Sequence, residues 1–339
     1  MSEEIERRSF EFVNYMLRPK KQIERKVIID ILRELNNVIN ISNYKYIGFG
    51  SIYYYDFILF HKFLKMNDLL SIDYKSTKKR FEFNRPYDFI SLENKISTDF
   101  LSEFDWMGHK NAVLWLDYDS KLDDVVLSDL EIISKNCNKK DILIITLNAS
   151  CAKDKYRRKL DRELFFRDFG TYVSSGYENR ECFTPKNLPK LLQNVIMNYL
   201  SKMCELRDTK FYKLFSFVYR DTSPMFTLGG IFDDKNELRI RVWTNEFICT
   251  DEEIKYINVP ILTYYEKFYI DSHIEKLKQK ISEIEDEING QGISDPEEKE
   301  NKMTEKINTY LPFELHSIYD LKNYLDYYKY YPQYYEGII

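Results

Sequence analysis

Between about residue 44 and residue 148 the apolar positions of this chain switch repeatedly between short continuous runs and helical stripes. The pattern predicts strands near 44–49, 69–73, 88–93, 112–117 and 141–148, with helices near 52–66, 75–83, 98–105 and 122–135 between them. The strands are continuous apolar runs, clearest in Ile142-Leu-Ile-Ile-Thr-Leu147, and not alternations of apolar and polar residues. Such strands are buried on both faces, so the alternation predicts an α/β fold built on a mostly parallel sheet. Upstream, Phe10, Val13, Met16 and Leu17 mark one helical stripe and Ile23, Val27, Ile28 and Ile31 another, with Pro19 breaking the run between them.

Downstream of the alternation, Cys151 to Lys210 reads as mostly helical and opens with the charged run Lys153, Asp154, Lys155, Arg157, Arg158, Lys159. It is expected to be an insertion that closes over the sheet's edge. Phe211–Tyr219 and Met225–Phe232 then form two β-like runs around Arg220-Asp-Thr-Ser-Pro224, a hairpin with its turn at Pro224. Gly229 and Gly230 inside the second run mark a bulge or a close approach. Ile274, Leu277, Ile281, Ile284 and Ile288 keep a helical period in a Glu- and Lys-rich stretch that Asn289-Gly-Gln-Gly292 interrupts, which predicts a helical hairpin over 272–308 with an exposed tip. That hairpin is a candidate arm for a protein partner or for homo-oligomerisation. The Tyr-rich tail, Tyr310 to Ile339, is expected to pack back onto the body. The organisation is thus a helical N-terminal region (1–40), an α/β domain (41–250, with 151–210 as helical insertion) and a helical C-terminal extension (251–339).

Composition narrows the function classes. With 339 residues, 44% hydrophobic and 31% charged, the chain can bury a large core and is expected to be soluble. A net charge of −5 and a pI near 5.7 provide no global basic field, so nucleic acid is not a favoured partner. Cys137, Cys151, Cys182, Cys204 and Cys249 are odd in number, widely spaced and free of CxxC pairs, which suits a reducing cytoplasm better than a disulfide framework or a zinc knuckle. The charged start lacks the apolar core of a signal peptide, and no window is apolar for long enough to span a membrane. A cytoplasmic location is expected.

The candidate chemistry gathers where the strands end, since open α/β sheets bind ligands outside the carboxyl ends of their strands. Tyr44-Lys-Tyr-Ile-Gly-Phe-Gly-Ser-Ile-Tyr-Tyr-Tyr-Asp-Phe57 is a strand, a glycine turn and a helix; Gly48, Gly50 and Ser51 end the strand, and glycines let the backbone approach a ligand. Asp73 ends the next strand at close to the ~20-residue spacing of an acid that grips ribose hydroxyls. The G-x-G-x-x-G pattern is incomplete, for Tyr53 holds the third position. Ala112-Val-Leu-Trp-Leu116 runs into Asp117-Tyr-Asp119, and an ionised Asp at the end of an apolar strand needs a ligand, metal or hydrogen-bond partner. Asp117 is therefore the first candidate for a catalytic base, while Asp119 stands where it could equally cap the helix that starts near Leu122. Arg18-Pro-Lys-Lys-Gln-Ile-Glu-Arg25 has two readings, a solvated helix face, favoured for Lys20 and Lys21, or the mouth of a site, evenly balanced for Arg18 and Arg25. His61, His109, His273 and His316 are scattered with no paired spacing, so no metal site is assigned. Neither a G-x-S-x-G nucleophile elbow nor a P-loop occurs.

Arg18 to Arg25, Tyr46-Ile-Gly-Phe-Gly-Ser51 with Asp56-Phe57, Ser71-Ile-Asp73, Arg80-Phe-Glu-Phe-Asn84, Trp115-Leu-Asp-Tyr-Asp119, Leu228-Gly-Gly230 and the tail Tyr327-Tyr-Lys-Tyr-Tyr-Pro332 together resemble a bacterial family named for O-methyl transfer. More broadly the chain is similar to class I S-adenosylmethionine-dependent methyltransferases, whose Rossmann-like, mostly parallel seven-stranded sheet ends in an antiparallel hairpin. The resemblance implies S-adenosylmethionine as cofactor, with Gly48 and Gly50 bordering its methionine part, Asp73 on the ribose hydroxyls, Ser97 and Asp99 as candidates to flank adenine, and Ser51 among the cofactor-binding residues. Asp117 would be the general base, alone or with Asp119 around a divalent cation. The chain departs from the class at Tyr46, where an acid is usual, and at Ile52, where a third glycine is usual. Asp117-Tyr-Asp119 also lacks the Pro-Pro-aromatic signature of enzymes that methylate base amines. Two functions follow: methyl transfer to an oxygen of an unidentified acceptor or, given the degenerate glycine motif, a methyltransferase-fold binding or sensor module in a bacterial defence or regulatory system.

Overall fold

The computed structural model describes residues 18–74, 78–151, 161–207, 209–234 and 243–332. The first stripe at Phe10–Leu17, the basic run Lys153–Lys159 and the end of the tail lie outside the described residues. The chain divides into two compact units, Met1–Arg18 with Glu24–Tyr256, and Pro19–Ile23 with Ile257–Ile339.

The first unit is organised by a sheet of β1 (Lys45–Gly48), β2 (Asp68–Ile72), β3 (Ile90–Glu93), β4 (Ala112–Asp117), β5 (Ile142–Asn148), β6 (Thr209–Arg220), β7 (Pro224–Asp234) and β8 (Lys255–Ile257). Their order is β3-β2-β1-β4-β5-β7-β6-β8. The strands from β3 to β5 are parallel, and β7 runs antiparallel to both β5 and β6. This is the methyltransferase-like α/β sheet with its closing hairpin, lengthened by one short strand, β8, beside β6. The order reverses direction between β1 and β4, the switch point at which such sheets open a crevice at their carboxyl edge.

Helices cover both faces because the strands are apolar on both. α1 (Pro19–Leu35) and α2 (Tyr55–Leu64) precede and follow β1, and α3 (Lys78–Asn84), α4 (Ser97–Glu103) and α5 (Asp124–Asn136) follow β2, β3 and β4. α6 (Arg162–Phe169) and α7 (Leu188–Cys204) lie between β5 and β6. One face packs Ile47, Leu114 and Leu143 into a core with Leu130 of α5 and Leu191 and Val195 of α7. On the alternate positions Tyr46 of β1 stacks on Phe60 of α2 at 4.0 Å between centroids, and Phe60 meets Trp115 of β4 at 6.2 Å. Pro19 opens α1 after the non-helical Arg18, as its place between the two stripes predicts: in the first turn its missing N–H has no partner to lose.

In the second unit α8 (Tyr264–Ser272), α9 (Ile274–Gly290), α10 (Pro296–Tyr310) and α11 (Ile318–Tyr327) enclose a core of Leu277, Ile281, Ile284, Ile288, Met303, Ile307 and Tyr324. Thr263 and Glu266 form a capping box at the start of α8, and Gly292 (φ 66°) turns the chain between α9 and α10. None of the described helices is long and apolar enough to cross a membrane.

Candidate active site at the carboxyl edge of the parallel strands

The strand register sets the site. Leu92, Ser71, Gly48, Trp115 and Ile144 form one row across β3, β2, β1, β4 and β5. Two residues further along the strands, Asp73, Gly50 and Asp117 reach the carboxyl edge. At Gly50 the amide donates to Ser71 Oγ at 3.1 Å, and a Cβ there would stand 2.3 Å from that oxygen and 2.9 Å from the Tyr54 ring. A Cβ at Gly48 would meet the Tyr46 hydroxyl at 2.7 Å and the Trp115 carbonyl at 3.2 Å. Both glycines are therefore required by close approach, not by their own dihedrals. Left-handed backbone falls instead on Ser51 and Tyr54, each at φ 46°, the second of them buried. Two non-glycine residues in this region within four positions mark a turn held by its surroundings, a kind of strain concentrated at ligand sites.

Asp73 lies partly exposed, its amide bound to the Glu93 carbonyl at 2.9 Å. Its charge bears on Tyr54: burial first, then Asp73, push that phenol above its ordinary range, with Arg85 opposing. Tyr54 OH donates to the Phe81 carbonyl at 3.2 Å, which ties the glycine turn to α3. Tyr74 and Ile96, both exposed, follow β2 and β3 in the chain.

Around β4 the structure separates the two acids. Asp117 closes the strand opposite Thr146 and is partly buried, whereas Asp119 is exposed in the loop. The expectation that Asp119 caps the next helix is corrected: Asp123 caps α5, accepting from the Val126 amide at 3.1 Å, because the loop continues beside β5 as far as Ser120, whose carbonyl accepts from Asn148 N at 2.9 Å. Between the acids Tyr118 turns inward, and its hydroxyl donates to Asp129 Oδ2 at 2.5 Å. Asp129 also accepts from Thr98 Oγ1 at 2.5 Å, and Ser97 bonds the same Tyr118 hydroxyl. Ser97 is thus buried in a network joining α4, α5 and the β4 loop, while Asp99 points out from the first turn of α4.

A second cluster was missed in the sequence. Arg25 of α1 pairs through Nε with Asp56 Oδ1 of α2, both buried, and its guanidinium lies 5.0 Å from the centroid of the Tyr55 ring. Burial works against the charge, but Asp56, then Asp117, Glu24 and Tyr219, outweigh it and hold the guanidinium above its ordinary range. The buried Tyr46 phenol is likewise raised, by burial first and then by Asp56 and Asp117. Arg25, Asp56, Tyr46 and Asp117 therefore lie within electrostatic reach of one another near the ends of β1 and β4. Glu24 is also buried and accepts from Thr227, which bonds Thr146 Oγ1 at 2.9 Å; that oxygen accepts from Trp115 Nε1 at 3.1 Å. The solvated-face reading fails for Lys21 as well, which is fully buried. The available signal was Asp56, the one charged residue among the aromatic and aliphatic side chains from Tyr55 to Phe60.

Among the described residues, Cys249, Asp251 and Glu253 bring potential metal-binding atoms within 4.8 Å of one another. The Cys249 thiol is pushed up to about 12 by burial and by its hydrogen bonds to both carboxylates, so it serves them as a donor. Lys255 pairs with Glu253 at 2.8 Å, and Lys213 Nζ donates to the Asp251 and Glu253 carbonyls at 2.6 Å each. Cations and a proton already occupy this cluster.

Among solved structures the chain is similar to Trm1 from Pyrococcus horikoshii in complex with S-adenosyl-L-methionine, at 14% identity and a TM-score of 0.42, over 66% of this chain and 56% of that one. It is also similar to the methyltransferase domain of a bacterial CtHen1 (14% identity, TM-score 0.34, 62% of this chain and 99% of that). A third is a 16S rRNA adenine methyltransferase from Catenulisporales acidiphilia (11% identity, TM-score 0.33, 61% and 92%). The chain thus spans just over half the length of the first of these. Likeness at this level says nothing about acceptor or chemistry. No curated protein matches the sequence. The sequence matches a family model over residues 13–339, and the chain belongs to the family described as Putative O-methyltransferase.

Proposed function

We propose that this protein transfers the methyl group of S-adenosylmethionine to an oxygen nucleophile of its acceptor. The observation that carries the reading is the row of strand ends: the close-approach glycine Gly50, the carboxylate of Asp73 and the carboxylate of Asp117 reach the same edge at the switch point of the sheet. The residues present fit the cofactor. Gly50 lets the end of β1 pack directly against Ser71 Oγ and the Tyr54 ring, and Asp73 offers two carboxylate oxygens to a pair of vicinal hydroxyls. Exposed Tyr74 and Ile96 provide apolar surfaces on either side of a flat heterocycle. Ser97, bonded to the Tyr118 hydroxyl, and the exposed Asp99 in the first turn of α4 are the proposed flank of the adenine.

When bound, the cofactor's sulfonium supplies an electrophilic methyl group. The chain's task is then to align the acceptor oxygen behind that methyl, exclude water and accept a proton. Asp117, at the end of β4, is the proposed proton acceptor, and Asp119, exposed in the same loop, is proposed to assist it at the acceptor's hydroxyl. Isothermal titration with S-adenosylmethionine tests the reading. Micromolar-range heat that S-adenosylhomocysteine competes away is expected, and no heat and no competition would sink the proposal.

A further inference from the structure

Arg25 carries more hydrogen-bonding capacity than its surroundings use. Its Nε is committed to Asp56, and the plane lies over Tyr55, yet Nη1 is buried and meets no acceptor among the described residues. A guanidinium is the least dispensable of buried donors, for it cannot shed its charge and its unused N–H groups stay unsolvated. The charge of Asp117 also bears on it. The cluster stands at the ends of β1 and β4, beside the Tyr46 hydroxyl that closes on Gly48.

From this, and resting on the proposed cofactor reading, we infer that Arg25 is a binding residue for the α-amino-acid end of the ligand, its Nη1 donating to the carboxylate. The charge pattern decides the class of head group. A simple anion would meet Asp56, Asp117 and Glu24 bearing on the same guanidinium and would be repelled. A zwitterion brings its own ammonium, which offsets that negative field while its carboxylate takes the free donor, and so satisfies both signs at once. The planar fork suits this better than a lysine, since one edge can hold Asp56 while a second nitrogen reaches the ligand.

The test compares S-adenosylhomocysteine with its decarboxylated analogue, which keeps the adenosine, sulfur and amine, by calorimetry on the wild-type protein and on Arg25→Lys. The wild type should prefer the carboxylate-bearing ligand by about tenfold or more, and Arg25→Lys should reduce that preference to within about threefold. Should Arg25→Lys unfold, the neutral pair Arg25→Gln with Asp56→Asn removes both charges together and should show the same loss, with thermal unfolding recorded for each protein. Equal wild-type affinity for the two ligands, or a preference that survives the substitution, overturns the assignment to Arg25 while leaving the cofactor reading intact. Failure of both ligands to bind overturns both.

Discussion

The amide of Gly50 and the hydroxyl of Ser71 meet at 3.1 Å across the ends of β1 and β2, so close that the glycine's missing side chain and the serine's oxygen claim the same space. Gly50→Ala should therefore destabilise the fold by about 1–3 kcal/mol through overpacking. Ser71→Ala should cost about 0.5–1.5 kcal/mol for the lost hydrogen bond. The double variant should cost less than the sum, because the second change removes the atom that the new methyl strikes. Urea unfolding of the three variants measures the coupling, and strict additivity would show that the two residues do not share that space.

Asp73 and Asp117 should separate binding from chemistry. Asp73→Ala removes a carboxylate that accepts from two hydroxyls, and affinity for S-adenosylmethionine should fall at least about tenfold, ~1.4 kcal/mol. Asp117→Asn keeps the shape and loses the proton acceptor, so turnover should fall by roughly a hundredfold or more while the cofactor still binds. An Asp117→Asn protein with a lowered melting temperature and unchanged turnover per folded molecule would make Asp117 structural.

Asp129 should act on the site through Tyr118. It is fully buried and holds Tyr118 and Thr98 at 2.5 Å each, so Asp129→Ala leaves two hydroxyls without their acceptor and should cost about 2–4 kcal/mol. Tyr118→Phe removes one donor only and should cost roughly 1 kcal/mol. Differential scanning calorimetry ranks them, and a milder effect for Asp129→Ala than for Tyr118→Phe would contradict the network.

At the opposite end of the strands His109 Nε2 lies 3.4 Å from Asp141 Oδ2, where Asp141 is buried and also accepts from the Ala112 amide at 2.8 Å. Burial disfavours the imidazolium, but the hydrogen bond and charge of Asp141 outweigh it and raise the histidine above its ordinary value of 6.5. Protons then bind the folded state more tightly than the unfolded one. The stabilisation is complete below about pH 6.5 and is lost as pH rises through the folded value. The stability gap between wild type and His109→Gln should shrink between mildly acidic and mildly alkaline pH; a gap that widens would reverse the sign.

Gly229 and Gly230 are required by packing inside the hairpin. A Cβ at Gly229 would enter the Phe215 ring at 2.0 Å, and one at Gly230 would meet the Phe211 ring and the Tyr212 carbonyl at 2.4 Å. Alanine at either position should cost about 1–3 kcal/mol in thermal unfolding, and more at Gly230, where the obstacle includes backbone. A neutral Gly230→Ala would refute the crowding.

The sequence by itself determined the alternation of strands and helices, the continuous runs that require a sheet covered on both faces, and the hairpin that closes it. Ile142–Leu147 could only be a doubly buried strand, and Leu277, Ile281, Ile284 and Ile288 could only be one side of a helix, because period and face are local properties of the backbone. It also placed Gly50, Asp73 and Asp117 at strand ends, since each follows an apolar run directly. The tertiary structure alone decided which strand ends share a row, that Asp123 and not Asp119 caps α5, and that a three-residue strand too short to alternate extends the sheet. It alone paired Arg25 with Asp56, 31 residues apart, and buried Lys21 in what reads as a solvated basic run. A charged side chain's sequence neighbours fix its helix and its face, but its partner is set by which strand end that helix is carried across, and no local period encodes that choice.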